Sequence, residues 1–532
     1  MSKSYKFFKP NFYTGAPPEG SYRSIFKWGD VTRTEILDEY LFIFLKQRYG
    51  LTNEDFTRQR LGLEQVEEIP KTPLNKEKQQ KLIKVFGEKV SFEAYDRVRA
   101  TYSGSVAEIN KLRTGTPDNL PAAVIFPETE EDIAAALEIA KKIEVKPGIA
   151  GGKKAEGRLL LDLRKYNKVL KFNEPDQLIT VQAGIGAVDL ERILNNAPEN
   201  FDVNRRYTTG FNPSLFEVST AGGWVAARQS SASSPYYGGI EDIVHSFRIV
   251  TDKGVVDTSA YDGKPHGLNL GGLFFGQAAE FGVVSSVTLK FFKRVVHNDA
   301  AFCLVFKSFG AGEQAARDII QAQSTAPVEL ILSDPAESAF IMDSKGIKNN
   351  LFNIIFGFTG IKRGQACFLT AKATGTRAEV KAVKKAVMRA KRRYRGTNLL
   401  GFSANYFGRD RLDDAYIRET LMDFGFVCDY ADCFLPYSKI PAVHAKIEEY
   451  AQDFNVRAAE RGFTQVEAMS SLVHFDKAGA MLRTSFLCPL GSGKTHAAFL
   501  QGLKDLHVKQ KPPEAAAINK MLKRYFDPEG LF

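Results

Sequence analysis

The stretch PSLFEVSTAGGWVAARQSSASSPYYGGIEDI, residues 213–243, decides the fold. Ser219 and Thr220 set two hydroxyls ahead of Ala221, Gly222 and Gly223. Adjacent glycines permit positive φ and let backbone approach a neighbour closely. Hydroxyls beside free backbone N–H groups form concavities that hold phosphate or carbonyl oxygens. The continuation HSFRIVTDKGVVDT, residues 245–258, reads as a β-hairpin turning at Asp252-Lys253-Gly254. From the residues alone two readings stand: a small-residue clamp for a cofactor, or a Gly/Ser-rich surface loop.

Upstream, strands and helices alternate. Ala123 to Phe126 predicts a buried strand, and Thr129 with Asp132 predicts a capping box opening the helix EDIAAALEIAKKI. A Gly-rich loop, Pro147 to Gly157, precedes the strand RLLLDL. LITVQAGIGAVDLERILNN then reads as strand, Gly turn and helix.

The 213–243 stretch resembles the second FAD-contacting segment of the vanillyl-alcohol-oxidase (PCMH-type) flavoprotein family. Within that family it is most similar to the alkyl-dihydroxyacetone-phosphate synthase branch. The similarity rests on Pro213, Glu217, Ser219, Thr220, Gly222, Gly223, Trp224, Arg228, Tyr237, Gly238, Ile240, Glu241 and Asp242. It extends to a helical segment with Asp96, Arg97, Val98, Arg99, Ala100, Gly104, Glu108, Ile109, Leu112 and Arg113.

The resemblance implies an α+β protein in four parts. These are a helical N-terminal extension (1–118), a PCMH-type FAD-binding domain of two α/β subdomains (119–295), an α+β cap over the substrate (296–505), and a C-terminal segment returning to the FAD domain (506–532). It implies non-covalent FAD held by Gly151, Gly152, Gly157, Pro213, Ser219, Thr220, Gly222, Gly223, Ala226, Arg228, Gly238, Ile240, Gly282, Val283 and Val284. Two segments depart from the family pattern. Lys153 and Lys154 replace a Thr-Ser pair in the pyrophosphate loop, and Gln277 to Glu280 replace a Ser-Glu-Gly-Thr core. The lysines either offset phosphate charge or mark a loop that no longer binds flavin.

Arg418, in Asp414-Ala415-Tyr416-Ile417-Arg418, matches the arginine implied to bind a substrate phosphate. The implied catalytic groups are missing. Ile331 stands in place of a second arginine, Leu490 in place of a tyrosine, and the loop Lys509 to Glu514 in place of three histidines. Ile and Leu offer no exchangeable proton, whereas general acid–base work needs one. No catalytic residue is therefore assigned. His474 and His496 remain candidates in a different geometry, against the ordinary structural use of a lone histidine.

Composition fits this picture. The chain of 532 residues predicts several domains, and 44% apolar with 25% charged residues is ordinary for a globular protein. No run is long and apolar enough for a membrane span. The five cysteines form no C-x-x-C pair and the histidines no H-x-x-x-H pair, so no metal site is expected and a reducing, cytoplasmic setting is. Gly491-Ser492-Gly493-Lys494-Thr495 resembles the end of a phosphate loop, but Cys488 occupies its leading glycine position. The net charge of +10 favours anionic partners. The helix TRAEVKAVKKAVMRAKRRYRG is either a solvated cap face or a peripheral contact with an anionic membrane.

The function expected is FAD-linked, oxidoreductase-like chemistry on a lipid-like or phosphorylated small molecule. The alternatives are a catalytically degenerate relative with a binding or structural role, and a genuine alkylglycerone-phosphate synthase of ether-lipid synthesis. No nucleic acid is expected as partner, and a homodimer is left open.

Overall fold

The computed structural model describes residues 16–27, 39–56, 61–152, 154–261, 269–295, 299–322, 327–347, 349–399, 413–491, 493–506 and 513–532. Lys153, Ser492, His507 and positions 509–512 of the loop replacing the three histidines lie outside them.

Strands β1 (Val90–Ser91), β2 (Ala123–Ile125), β3 (Pro147–Ile149) and β4 (Leu159–Leu161) form a small sheet in the order β1-β2-β4-β3. β2 and β3 run parallel to β4. The helix Glu130–Lys142 covers this sheet, its Ile133, Ala136, Leu137 and Ala140 recurring at helical spacing and buried. Its start is the predicted box: Thr129 Oγ1 accepts from the Asp132 N–H at 3.1 Å, and Asp132 accepts from the Thr129 N–H at 3.1 Å.

The next strands are β5 (Val169–Asn173), β6 (Leu178–Gln182), β7 (Tyr207–Thr208), β8 (Val244–Thr251), β9 (Gly254–Asp257), β10 (Gly282–Lys290) and β11 (Phe292–Lys293). β7 pairs with β11, and the others form an antiparallel sheet in the order β5-β6-β10-β8-β9. β8 and β9 are the expected hairpin. Trp224, fully buried, anchors the apolar core of this second lobe.

A seven-stranded sheet follows from β12 (Asp299–Phe306), β13 (Val328–Ser333), β14 (Cys367–Thr374), β15 (Thr397–Leu399), β16 (Phe426–Pro436), β17 (Glu467–Val473) and β18 (Gly479–Pro489), in the order β15-β12-β14-β13-β17-β18-β16. All its pairings are antiparallel, so the chain is α+β.

Among the described residues, the N-terminal helices form no separate core. Tyr22, Ile25, Phe26, Val106, Ile109 and Leu112 pack in one cluster with cap residues such as Leu330 and Phe486. Leu74, Leu82 and Phe86 pack instead beneath the first small sheet. At the other end, the helix Pro513–Phe526 returns to the second lobe, where Phe526 meets Phe274 and Phe281.

Among the described residues no helix is long and apolar enough to cross a membrane, and no group of His, Cys, Asp and Glu could hold a metal ion.

Candidate functional site

The Ser-Thr-Ala-Gly-Gly run is a docking joint. Thr220 caps the helix Ala221–Ala227, accepting from the Gly223 N–H at 3.2 Å. The Ala221 and Gly222 N–H groups donate to the carbonyls of Ile185 and Ala183 at 3.1 and 2.8 Å, and the Ala187 N–H returns to Ser219 at 3.0 Å. A Cβ on Gly222 would lie 2.7 Å from the Ala183 methyl, so glycine here serves close helix-to-turn packing. Trp224 Nε1 donates to Ser219 Oγ at 3.0 Å.

The remaining sequence-predicted cofactor residues divide by surroundings. Pro213, Ile240, Val283 and Val284 are buried, Ile240 and Val284 in the second lobe's core and Val283 in the first's. Ala226 packs at the edge of the second core. A Cβ on Gly282 would lie 2.2 Å from the Val250 carbonyl oxygen. Gly238, at φ +92°, faces the Asp242 carboxylate, which accepts from the Gly239 N–H at 2.9 Å. Arg228, at φ +48°, pairs with Glu241.

The Gly-rich loop turns its donors inward. The Gly151 N–H donates to Ala100 O at 2.9 Å, Gly152 to Ile149 O at 3.0 Å and Gly157 to Leu120 O at 3.0 Å. The Ala155 and Glu156 N–H groups both donate to one oxygen, Asn119 Oδ1, at 2.9 and 2.8 Å.

A cavity of about 1160 Å³ opens between the second lobe and the cap sheet. The lobe supplies Gly210, Phe211, Asn212, Phe216, Ala232, Ser233, Tyr236 and Tyr237 to its wall. The cap supplies Ala301, Glu329, Ile331, Thr370, Lys372 and His474. The sheet register explains the cap wall: Glu329 pairs with Lys372 and Ile331 with Thr370, and alternation puts all four on one face. Glu329 Oε1 accepts from Asn212 Nδ2 at 2.8 Å and Ser233 Oγ at 3.1 Å, tying cap to lobe. Burial pushes the Tyr237 phenol up to about 12.

His474 sits at φ +47°, nearly buried, between two serines. Ser230 Oγ lies 2.6 Å from Nδ1 and Ser214 Oγ 3.2 Å from Nε2. Arg483 donates to Ser214 Oγ at 3.0 Å and grips Asp432 with two further hydrogen bonds.

Arg418 and His496 lie away from the cavity lining and share one carboxylate. Arg418 Nη2 donates to Asp429 Oδ1 at 2.9 Å and its Nε to Cys428 O at 2.9 Å, while His496 Nε2 lies 2.9 Å from Asp429 Oδ2. Burial opposes ionisation of Asp429, but the His496 hydrogen bond and the Arg418 charge hold it below the usual carboxylate range. The fork read from the sequence as a phosphate ligand is thus committed to an internal ion pair. Leu490, at the expected tyrosine position, packs against the cap core. Thr495, in the phosphate-loop-like motif, has its hydroxyl engaged by the Thr464 N–H at 3.1 Å.

Sequence reasoning named Ile331 and His474 but missed Asn212, Ser233, Glu329 and Lys372. The strand alternation of residues 328–333 and 367–374 was the signal available for the last two.

Residues 121–259 match the FAD binding domain family, and residues 297–486 match the C-terminal domain of FAD linked oxidases. The chain is 26% identical over 388 residues to alkyldihydroxyacetonephosphate synthase of Caenorhabditis elegans, covering 68% of this chain and 63% of that one. It is 28% identical over 260 residues to the Trypanosoma brucei brucei synthase, covering 46% and 40%. The matches therefore span less than two thirds of those relatives. A solved alkyldihydroxyacetonephosphate synthase superposes with TM-score 0.76 at 19% identity, over 93% of this chain and 91% of that one. p-Cresol methylhydroxylase with substrate bound gives 0.61 at 13% identity, over 86% and 96%.

FAD is the cofactor of both matched domains. In the described part of the loop the N–H groups of Gly151, Gly152, Ala155, Glu156 and Gly157 already have acceptors within the chain, so as arranged these five do not fit a pyrophosphate.

Proposed function

For a chain that belongs to the PCMH-type FAD oxidase family and is related to alkyldihydroxyacetonephosphate synthase, we propose FAD-linked action on a lipid-like or phosphorylated small molecule bound in the cavity between lobe and cap. The carrying observation is the cavity's divided wall. Phe216 and Ile331 offer apolar surface for a hydrocarbon chain. Lys293 and Lys372 offer ammonium groups for an anionic head, and the Glu329 Oε1 beside Lys372 is already held by Asn212 and Ser233. An ammonium serves a phosphate as a point charge.

No proton-transfer step is assigned to Ile331 or Leu490. Within the site, His474 positions Ser214 and Ser230, and Glu329 fixes the lobe against the cap. The free thiols support the cytoplasmic setting. Peripheral membrane contact and a homodimer are compatible with this reading, which needs neither.

The test is the visible flavin absorbance of protein reconstituted with FAD and desalted, before and after adding a long-chain acyl ester of dihydroxyacetone phosphate. Retained bands that bleach support the proposal. Retained bands unchanged by a ligand that also fails to shift Tm overturn it. A second reading, a degenerate relative that binds without catalysis, is favoured by Ile331 and the self-bonded loop. It predicts a ligand-dependent rise in Tm with no flavin bands.

A further inference from the structure

Among the described residues of the Gly-rich loop, Gly151, Gly152, Ala155, Glu156 and Gly157 turn their donors onto the chain itself. Its Ala155 and Glu156 N–H groups converge on a single oxygen, and successive backbone N–H groups turned to one point make an anion-binding concavity. The oxygen seated there belongs to Asn119, 36 residues earlier than Ala155. Asn119 holds φ +58°, a left-handed conformation that asparagine tolerates better than most residues and glycine adopts freely. Backbone carbonyls seal the same loop: Leu120 O, next to Asn119, takes the Gly157 N–H, and Ala100 O takes the Gly151 N–H.

We infer that the Asn119 carboxamide is an internal occupant of the pyrophosphate cradle, and that FAD enters only by displacing it. The inference rests on the family's cofactor but not on the cavity's substrate. A ligand that binds only the open form has its affinity reduced by the fraction of molecules that are open. Asn119 therefore sets the affinity for FAD through the closed form it stabilises. Because its oxygen is neutral, it holds the two N–H groups less firmly than a charged oxygen would.

The test is FAD affinity of the full chain, read by quenching of flavin fluorescence, for the parent, Asn119→Gly and Asn119→Asp. Glycine accepts the φ of residue 119 and removes the occupant, so N119G should bind FAD about tenfold tighter, the loss of two competing neutral hydrogen bonds. Aspartate keeps the shape and adds charge, so N119D should bind more weakly than the parent. Circular dichroism and Tm confirm that each variant is folded; if N119G is not, the direction of the N119D change decides. Equal affinities for parent and folded variants overturn the occupant while leaving the FAD assignment standing. Absence of binding in all three, N119G included, overturns both.

Discussion

Arg23 and Asp423, 400 residues apart, exchange two parallel hydrogen bonds of 3.0 Å inside the protein. Arg113 adds a third at 2.6 Å to the same carboxylate, and Glu419 joins Arg23 and Lys27 at 2.8 Å each. All five side chains are at most 5% exposed. Breaking one member of such a buried group leaves uncompensated charge. Asp423→Ala should lose about 3–5 kcal/mol of stability, read from the shift in denaturation midpoint.

The same carboxylate carries a pH dependence. Burial would raise its pKa, but Arg113 and Arg23 outweigh burial and hold it below the usual value. A depressed folded pKa contributes stability above the unfolded carboxylate pKa of about 4, and that stability is lost as pH falls through the folded value. An acid titration of Tm should show this loss in the parent, and a smaller one in Asp423→Asn.

Gly222→Ala should destabilise the second lobe. The new methyl meets the Ala183 side chain at 2.7 Å and its carbonyl oxygen at 3.0 Å. Overpacking of this kind costs roughly 1–3 kcal/mol. A lower Tm should accompany the change, whereas Gly157→Ala meets no atom within 4 Å and should show only the milder strain of its φ of +66°.

Lys372→Ala should weaken binding of a phosphorylated lipid about tenfold, the loss of one charge-assisted contact of about 1.5 kcal/mol. The dephosphorylated analogue should bind parent and variant alike. Calorimetric titration of both ligands makes the comparison, and equal losses would assign Lys372 to packing.

Cys303 and Cys488 should resist thiol reagents in the native protein at neutral pH and react on unfolding. Burial raises both thiols to about 12, so the reactive thiolate is scarce. Time-resolved thiol labelling with and without denaturant reads the difference.

What the sequence made legible was local. The capping box at Thr129, the hairpin at Asp252-Lys253-Gly254 and the strand–turn–helix around Gly184 depend on residues a few positions apart, and each stands as read. The glycine run at 221–223 was legible as close approach but not as approach to what; within the chain, Gly222 closes on Ala183. Arg418 was read by motif, yet its partner Asp429 comes from an adjacent strand whose register no short pattern states. Asn119 as a partner of the Gly-rich loop was invisible for the same reason: the N–H groups it accepts from lie 36 and 37 residues on.

The shared core of the N-terminal helices and the cap has a consequence for synthesis. Tyr22, Arg23 and Phe26 leave the ribosome early, but Asp423 and Phe486 emerge only when most of the chain is made. The first segment therefore waits, the side it turns to the cap unpaired, through translation of both lobes and much of the cap. Domains commonly fold as units in order of synthesis; here the opening helices are held back until the last strands arrive. A nascent chain stalled before the helix Asp413–Asp423 should accordingly depend on a chaperone to shield its leading end.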